Sequence, residues 1–123
     1  MSGNKIVLDT NIILYVLAGN KELFSILNGL ELFVSIITEI ELLGFNGLSK
    51  EDKNRINLFL SDCSIISLNE EIKNSCIKIK QISKTKTPDA IVAATSLFLQ
   101  IPLITSDKDF EKIDNLDLFL YKI

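Results

Sequence analysis

The stretch Lys5-Ile6-Val7-Leu8-Asp9-Thr10-Asn11-Ile12-Ile13-Leu14-Tyr15-Val16-Leu17 decides the fold. Its first part, Lys5 to Asp9, is a short apolar run with β-branched side chains, the pattern of a strand buried on both faces. Asn11 to Leu17 continues as a helix, for which Asp9 or Thr10 supplies the capping oxygen. A strand that passes straight into a helix is the first half of a β-α-β unit.

The same alternation recurs outward from this segment. Lys21 to Leu27 predicts a second helix, Leu32 to Ser35 a second strand, and Ile37 to Leu43 a helix ended by Gly44. Ser49 with Asp52 has the form of a capping box for a helix reaching Leu60. Ser64 to Ser67 reads as a third strand. Asn69 then caps a helix reaching Lys84, with Ile72, Cys76, Ile79 and Ile82 along one face. Thr87 followed by Pro88 marks a helix start, Thr as the cap and Pro at the first helical position, for a buried helix over Ala90 to Leu99. Pro102 to Thr105 gives a fourth strand, Lys108 to Ile113 a short helix, and Leu118 to Leu120 a last strand. Strands that are apolar throughout and alternate with helices predict an α/β fold whose parallel sheet is covered on both faces.

The chain of 123 residues has the size of one domain with one core, expected over residues 1–123. Its apolar stretches fall short of the ~20 residues of a membrane span and no leader pattern opens it, so a cytoplasmic protein with no membrane partner is expected. The cysteines, Cys63 and Cys76, have no CxxC spacing and there is no histidine, which excludes the usual zinc sites; free thiols are expected, although a single disulfide also fits the sequence. Without histidine there is no Ser-His-Asp or Cys-His nucleophile, so any catalysis runs on carboxylates, lysines or hydroxyls. The formal charge of −3 argues against strong non-specific binding of nucleic acid, which depends on Lys and Arg displacing counterions.

In open parallel sheets, ligands bind beyond the carboxyl ends of the strands, where the strand order reverses. Asp9 ends the first strand, Thr105-Ser106-Asp107 ends the fourth, and Glu41 lies on the helix after the second. Asp89 sits in the first turn of the Thr87-Pro88-Asp89 helix start, where the helix dipole favours an acid whatever else it does. Each acid alone is explained as a cap or a solvated charge. Four carboxylates converging without a balancing Lys or Arg would instead repel one another and hold their protons, unless a cation lies among them. Oxygen ligands without Cys or His suit Mg²⁺ or Mn²⁺. Hydrolysis of a phosphodiester by metal-activated water is the reaction that fits.

These acids fall in four segments: Val7-Leu8-Asp9-Thr10-Asn11, Thr38-Glu39-Ile40-Glu41-Leu42-Leu43-Gly44, Pro88-Asp89-Ala90-Ile91-Val92-Ala93-Ala94-Thr95 and Thr105-Ser106-Asp107-Lys108-Asp109-Phe110. In order and spacing they resemble the signature segments of the PIN-domain ribonucleases, most closely the VapC-type toxins of toxin–antitoxin pairs. The resemblance implies a three-layer α/β/α fold with a parallel sheet in the order 3-2-1-4-5. It implies a metal-dependent endoribonuclease in which Asp9, Glu41, Asp89 and Asp107 bind Mg²⁺ or Mn²⁺, Asn11 and Thr105 orient the acids or water, and Asp109 is an extra ligand. It also implies an RNA substrate, an antitoxin that docks a segment into the acidic groove, and a homodimer, for which Leu14, Leu17 and Phe24 leave room. In the second segment the family pattern selects Glu41 over Glu39, two positions away and so on another helical face; Glu39 is expected to be exposed.

Between Ile72 and Pro88 the chain carries Lys73, Lys78, Lys80, Lys84 and Lys86 with no acid, either a solvated helix face or a contact for an RNA backbone. A receiver-type signalling domain would need an Asp at the end of the third strand, where Ser67 and Leu68 stand. A dehalogenase-type phosphatase would need a second Asp where Asn11 stands. A PIN-like module that binds RNA or protein without cutting, and a housekeeping RNA-processing nuclease, remain the alternatives.

Overall fold

The computed structural model describes residues 3–123. Five strands, β1 (Lys5–Leu8), β2 (Glu31–Ser35), β3 (Cys63–Ile66), β4 (Leu103–Thr105) and β5 (Leu118–Leu120), form one sheet in the order 3-2-1-4-5. Every neighbouring pair is parallel, with Val7 opposite Phe33 on one side and opposite Leu103 on the other. The chain builds outward from β1 to β3, then returns to the other side of β1 for β4 and β5. Strand order therefore reverses between β1 and β4, and a crevice opens at their carboxyl ends.

Alternation along each strand divides the core in two. Ile6, Leu8, Val34 and Ile104 point to one face and pack with Ile12 and Ile13 of α1 (Thr10–Leu17), Leu23 and Leu27 of α2 (Lys21–Leu27), and Ile56 and Leu60 of α4 (Lys50–Ser61). Val7, Phe33 and Leu103 point to the other. They meet Ile72, Cys76 and Ile79 of α5 (Glu70–Ile82), and Ala90, Val92, Ala93 and Ala94 of α6 (Thr87–Leu99). The small alanines let α6 lie close to both α5 and the sheet. The helix α3 (Ile36–Leu43) contributes Leu42 to the first cluster and packs Ile37 against the second, so it spans the edge between the layers. Cys63 and Cys76 are both free; Cys63 packs against one cluster and Cys76 belongs to the other.

Local chemistry sets most boundaries. Asp9 caps α1, Asn20 accepts from Leu23 N at the start of α2, Ser49 accepts from Asp52 N at the start of α4, and Asn69 accepts from Ile72 N at the start of α5. Several expectations are corrected. Thr87 lies inside α6, whose cap position is Lys86 with no side-chain bond, and Pro88 follows at the second helical residue, where its missing N–H is equally harmless. The third strand is Cys63–Ile66, so Ser67 lies beyond it, and α5 stops at Ile82. Ile82 is 76% exposed and takes no part in the apolar face. The segment Lys108–Lys112 is a 3-10 turn capped by Asp107.

Candidate functional site

Asp9 is the best-held acid of the crevice. It follows β1 directly, is only 6% exposed, and its two oxygens face different partners. Oδ1 accepts from the Thr10 backbone N–H at 2.8 Å and Oδ2 accepts from the Thr105 hydroxyl at 2.6 Å. Thr105, the fully buried last residue of β4, also accepts from Asp107 N–H at 3.1 Å. One hydroxyl thus ties the end of β1 to the loop carrying the next acid. Asp107 Oδ1 in turn accepts from Asp109 N–H at 2.9 Å. Asn11 Oδ1 lies 3.4 Å from Ser106 N–H, a second, longer tie between α1 and the end of β4.

Glu41 reaches the same crevice from α3. Its Oε1 accepts from the Thr10 hydroxyl at 2.7 Å, and Thr10 Oγ1 lies 3.1 Å from the hydroxyl of buried Thr38. Since the Thr10 hydroxyl has a single proton to give, the two contacts are satisfied together when Thr38 is the donor of the second. Thr10 and Thr38 are the polar residues that the sequence reading missed. In the sequence Thr10 reads as a helix cap and as part of the first signature segment, and Thr38 as part of the second. Glu39 is corrected: it is half-buried, whereas Glu41 is the more exposed of the two. The choice between them therefore rests on the bond to Thr10, not on burial.

Asp89, in the first turn of α6, completes the set. Its carboxyl is pushed up to about 6, first by burial and then by the charges of Asp9, Asp107 and Glu41, with Lys86 opposing. Burial likewise raises Asp9, against the bonds from Thr105 and Thr10, and Glu41 and Asp107 add to the rise. The fold brings Asp9, Glu41, Asp89 and Asp107 into mutual repulsion at the reversal point. Asp109 is exposed but lines a cavity of about 90 Å³ with Asp89, Asp107, Lys84, Lys86 and Lys112.

The expected lysine run divides. Only Lys84 and Lys86 reach this cavity; Lys73 pairs with Glu70 at 3.1 Å and Lys78 faces another surface. Lys112, from the 3-10 turn, joins them and donates to the Lys84 carbonyl, a contribution the sequence reading did not foresee.

An all-oxygen donor set pressed together without an internal cation suits a hard divalent ion in its chemistry. In its spacing, no three acids among the described residues surround one point closely enough to hold an ion as they stand. Filling the shell would take side-chain rotation and waters, which Mg²⁺ keeps in any case.

Residues 6–116 match the family model described as PIN domain. The chain belongs to the PIN domain family. Its sheet order and helix arrangement are those of solved relatives. A toxin–antitoxin complex from Klebsiella pneumoniae contains a chain 29% identical to this one, with a TM-score of 0.83, over 96% of this chain and 99% of that one. VapBC-1 from nontypeable Haemophilus influenzae is 28% identical, with a TM-score of 0.76, over 94% and 97%. VapBC2 from Rickettsia felis, solved on a DNA fragment from its promoter, is 20% identical and shares the fold at a TM-score of 0.86, over 96% and 99%. No curated protein sequence matches the chain.

Proposed function

We propose that this PIN domain is a cytoplasmic, metal-dependent endoribonuclease, folded as one domain over its length, and the toxin of a VapBC-type pair. The observation that carries the reading is the meeting of Asp9, Glu41, Asp89 and Asp107 at the carboxyl ends of β1 and β4, where the charges of Asp9, Glu41 and Asp107 raise Asp89 and those of Glu41 and Asp107 raise Asp9.

Asp9, Asp89, Asp107 and Glu41 would hold Mg²⁺ or Mn²⁺, with Asp109 at the margin. Bound there, the ion supplies acidified water and neutralises charge on the phosphoryl group. The protein's own contribution is orientation. Thr105 and the Thr10 N–H fix both oxygens of Asp9, so its lone pairs keep one direction. Thr10 and Thr38 hold Glu41 across the crevice. Asn11 keeps the end of β4 against α1. Lys84, Lys86 and Lys112 at the rim attract the RNA backbone that the acids would otherwise repel.

The antitoxin belongs in a groove of about 420 Å³ lined by Leu14, Leu17, Leu42 and Phe45, which runs to Thr10 and Glu41. An apolar segment ending in an Arg would cover the groove and place its guanidinium among the acids. Leu14 and Leu17 line this groove while Phe24 lines a different one with Phe59, so the three residues grouped in the sequence belong to two surfaces. The Phe24 surface is the one left for a homodimer, read by mass in solution.

Among the described residues, no helix is long and apolar enough to cross a membrane. The decisive experiment incubates purified protein with single-stranded RNA. Cleavage is expected with Mn²⁺ or Mg²⁺, none in EDTA, and none by Asp9→Asn. Equal cutting by parent and variant would assign the activity to a contaminant and the fold to a non-cleaving module.

A further inference from the structure

Another cavity, of about 430 Å³, is lined by Ser106 and Lys108, the chain neighbours of Asp107, and shares no lining residue with the cavity of Lys84 and Lys86. Its walls are Tyr15 of α1, Ser106 and Lys108 around Asp107, and Leu120 and Lys122 at the end of β5. This places it at the same carboxyl edge of the sheet as the acids, one strand further out. No Asp or Glu side chain lines it, although the chain as a whole is acidic. Lys108 and Lys122 are exposed, and neither forms a salt bridge among the described residues. Tyr15 packs against the core and is half-buried.

We propose that this cavity is a nucleotide subsite of the single-stranded RNA substrate, taking the base against the Tyr15 ring and the adjoining phosphate on Lys108 and Lys122. The inference rests on the ribonuclease reading. Its volume lies in the range of small-ligand sites, generous enough for one nucleoside. An aromatic wall accepts any base by stacking, and two unpaired ammonium groups beside it suit a backbone phosphate. Tyr121 forms the floor and keeps it in place, because its hydroxyl donates to Glu22 at 2.5 Å and ties β5 to α2. The strand would then run from the Lys84 and Lys86 rim, past Asp89 and Asp107, into this subsite. Selection of the nucleotide beside the cut falls to Tyr15 and Ser106, not to the acids.

The test measures binding of a fluorescent ten-nucleotide single-stranded RNA in EDTA, where a metal-dependent nuclease does not cut, and then maps cut positions in Mn²⁺. Tyr15→Leu keeps the apolar packing and removes stacking, so binding should weaken about tenfold, within the range for loss of one aromatic base contact. Tyr15→Phe should restore it. Lys122→Ala should reduce the slope of log affinity against log salt by about 0.7, the value for one phosphate contact on a single strand, while Lys53→Ala on α4 should leave it unchanged. If Tyr15→Leu fails to fold, Lys108→Ala and Lys122→Ala, both at exposed positions, decide the matter. Parental affinity, salt slope and cut positions in the lysine variants would overturn the subsite while leaving the nuclease standing. Binding that depends on these residues without any cleavage by the parent would instead overturn the nuclease and keep the RNA site. Loss of binding to a protein partner alone, with RNA affinity intact, would assign the cavity to protein recognition and refute the proposal.

Discussion

Replacing Asp89 by Asn should stabilise the metal-free protein while abolishing its metal-dependent activity. The carboxyl of Asp89 stands at about 6 against an ordinary 3.8, so at neutral pH its ionised form is held against burial and three like charges. A rise of about two pH units corresponds to at most about 3 kcal/mol. Asp89 is only half-buried, and screening by solvent and salt reduces this to about 1 kcal/mol. For a domain of this size that is a gain of about 3–5 °C in midpoint. The pH dependence has a definite sign. Between about pH 4 and pH 6 the folded state keeps a proton that the unfolded chain has released, so parental stability falls as pH rises through that window and levels off above it. The variant should show a shallower fall, the remainder coming from Asp9, which is raised as well. Thermal unfolding in EDTA from pH 4.5 to pH 8 reads both quantities. Millimolar Mn²⁺ should raise the parental midpoint well above that of the variant, since an ion that binds only the folded state stabilises it by mass action. A lower midpoint for Asp89→Asn at pH 7.5 in EDTA, or parallel pH profiles, would mean that the acids do not press on one another and would remove the physical case for a metal.

Thr105→Val deletes a buried hydroxyl bonded to both Asp9 and the Asp107 backbone. A loss of about 1.5–3 kcal/mol in chemical denaturation is expected, with weaker Mn²⁺ binding near neutrality because Asp9 rises further; a parental Mn²⁺ titration would show that Thr105 orients nothing. Glu41→Gln should cut activity severely and Glu39→Gln leave it near parental, as compared in one RNA cleavage assay; the reverse order would move the second-segment acid to Glu39. Tyr121→Phe breaks the link from β5 to Glu22 and should cost about 1 kcal/mol of stability by urea titration, and an unchanged midpoint would show the link to be idle.

The parts of the fold that could be read in the sequence were those with a local cause. The apolar run before Asp9, the Ser49 and Asn69 caps and the two prolines each act through their nearest neighbours, and their elements formed within a residue or two of expectation. Thr87 reads as a cap in sequence, but the helix starts at Thr87 itself and the cap position falls on Lys86, which offers no capping oxygen. Strand order came from the family resemblance, since no local pattern states which strand lies beside β1. Of the candidate acids, Asp9 and Asp107 were legible because they end strands at the reversal. The support around Glu41 was not, because Thr10 and Glu41 are 31 positions apart and meet only when α1 and α3 pack. Lys112 was hidden for the same reason: it follows an acid-rich turn in sequence and joins Lys84 only in space.

The placement of the lysines would let an acidic chain take the proposed RNA substrate. A net charge of −3 weighs every residue equally, whereas a strand feels the charges within about one Debye length of its path, near 8 Å in physiological salt. Leaving the four clustered acids aside, the rest of the chain is close to neutral. Five of its lysines gather near Asp107: Lys84, Lys86 and Lys112 line one cavity with it, and Lys108 and Lys122 line the one beside Ser106. A divalent ion among the acids would turn the centre of that path from a barrier into a bridge for phosphate. The same ion would relieve the repulsion raising Asp89, so folding stability, metal affinity and substrate attraction all depend on one set of charges. A substitution that makes the metal-free protein more stable, as expected of Asp89→Asn, should therefore weaken its hold on both metal and RNA.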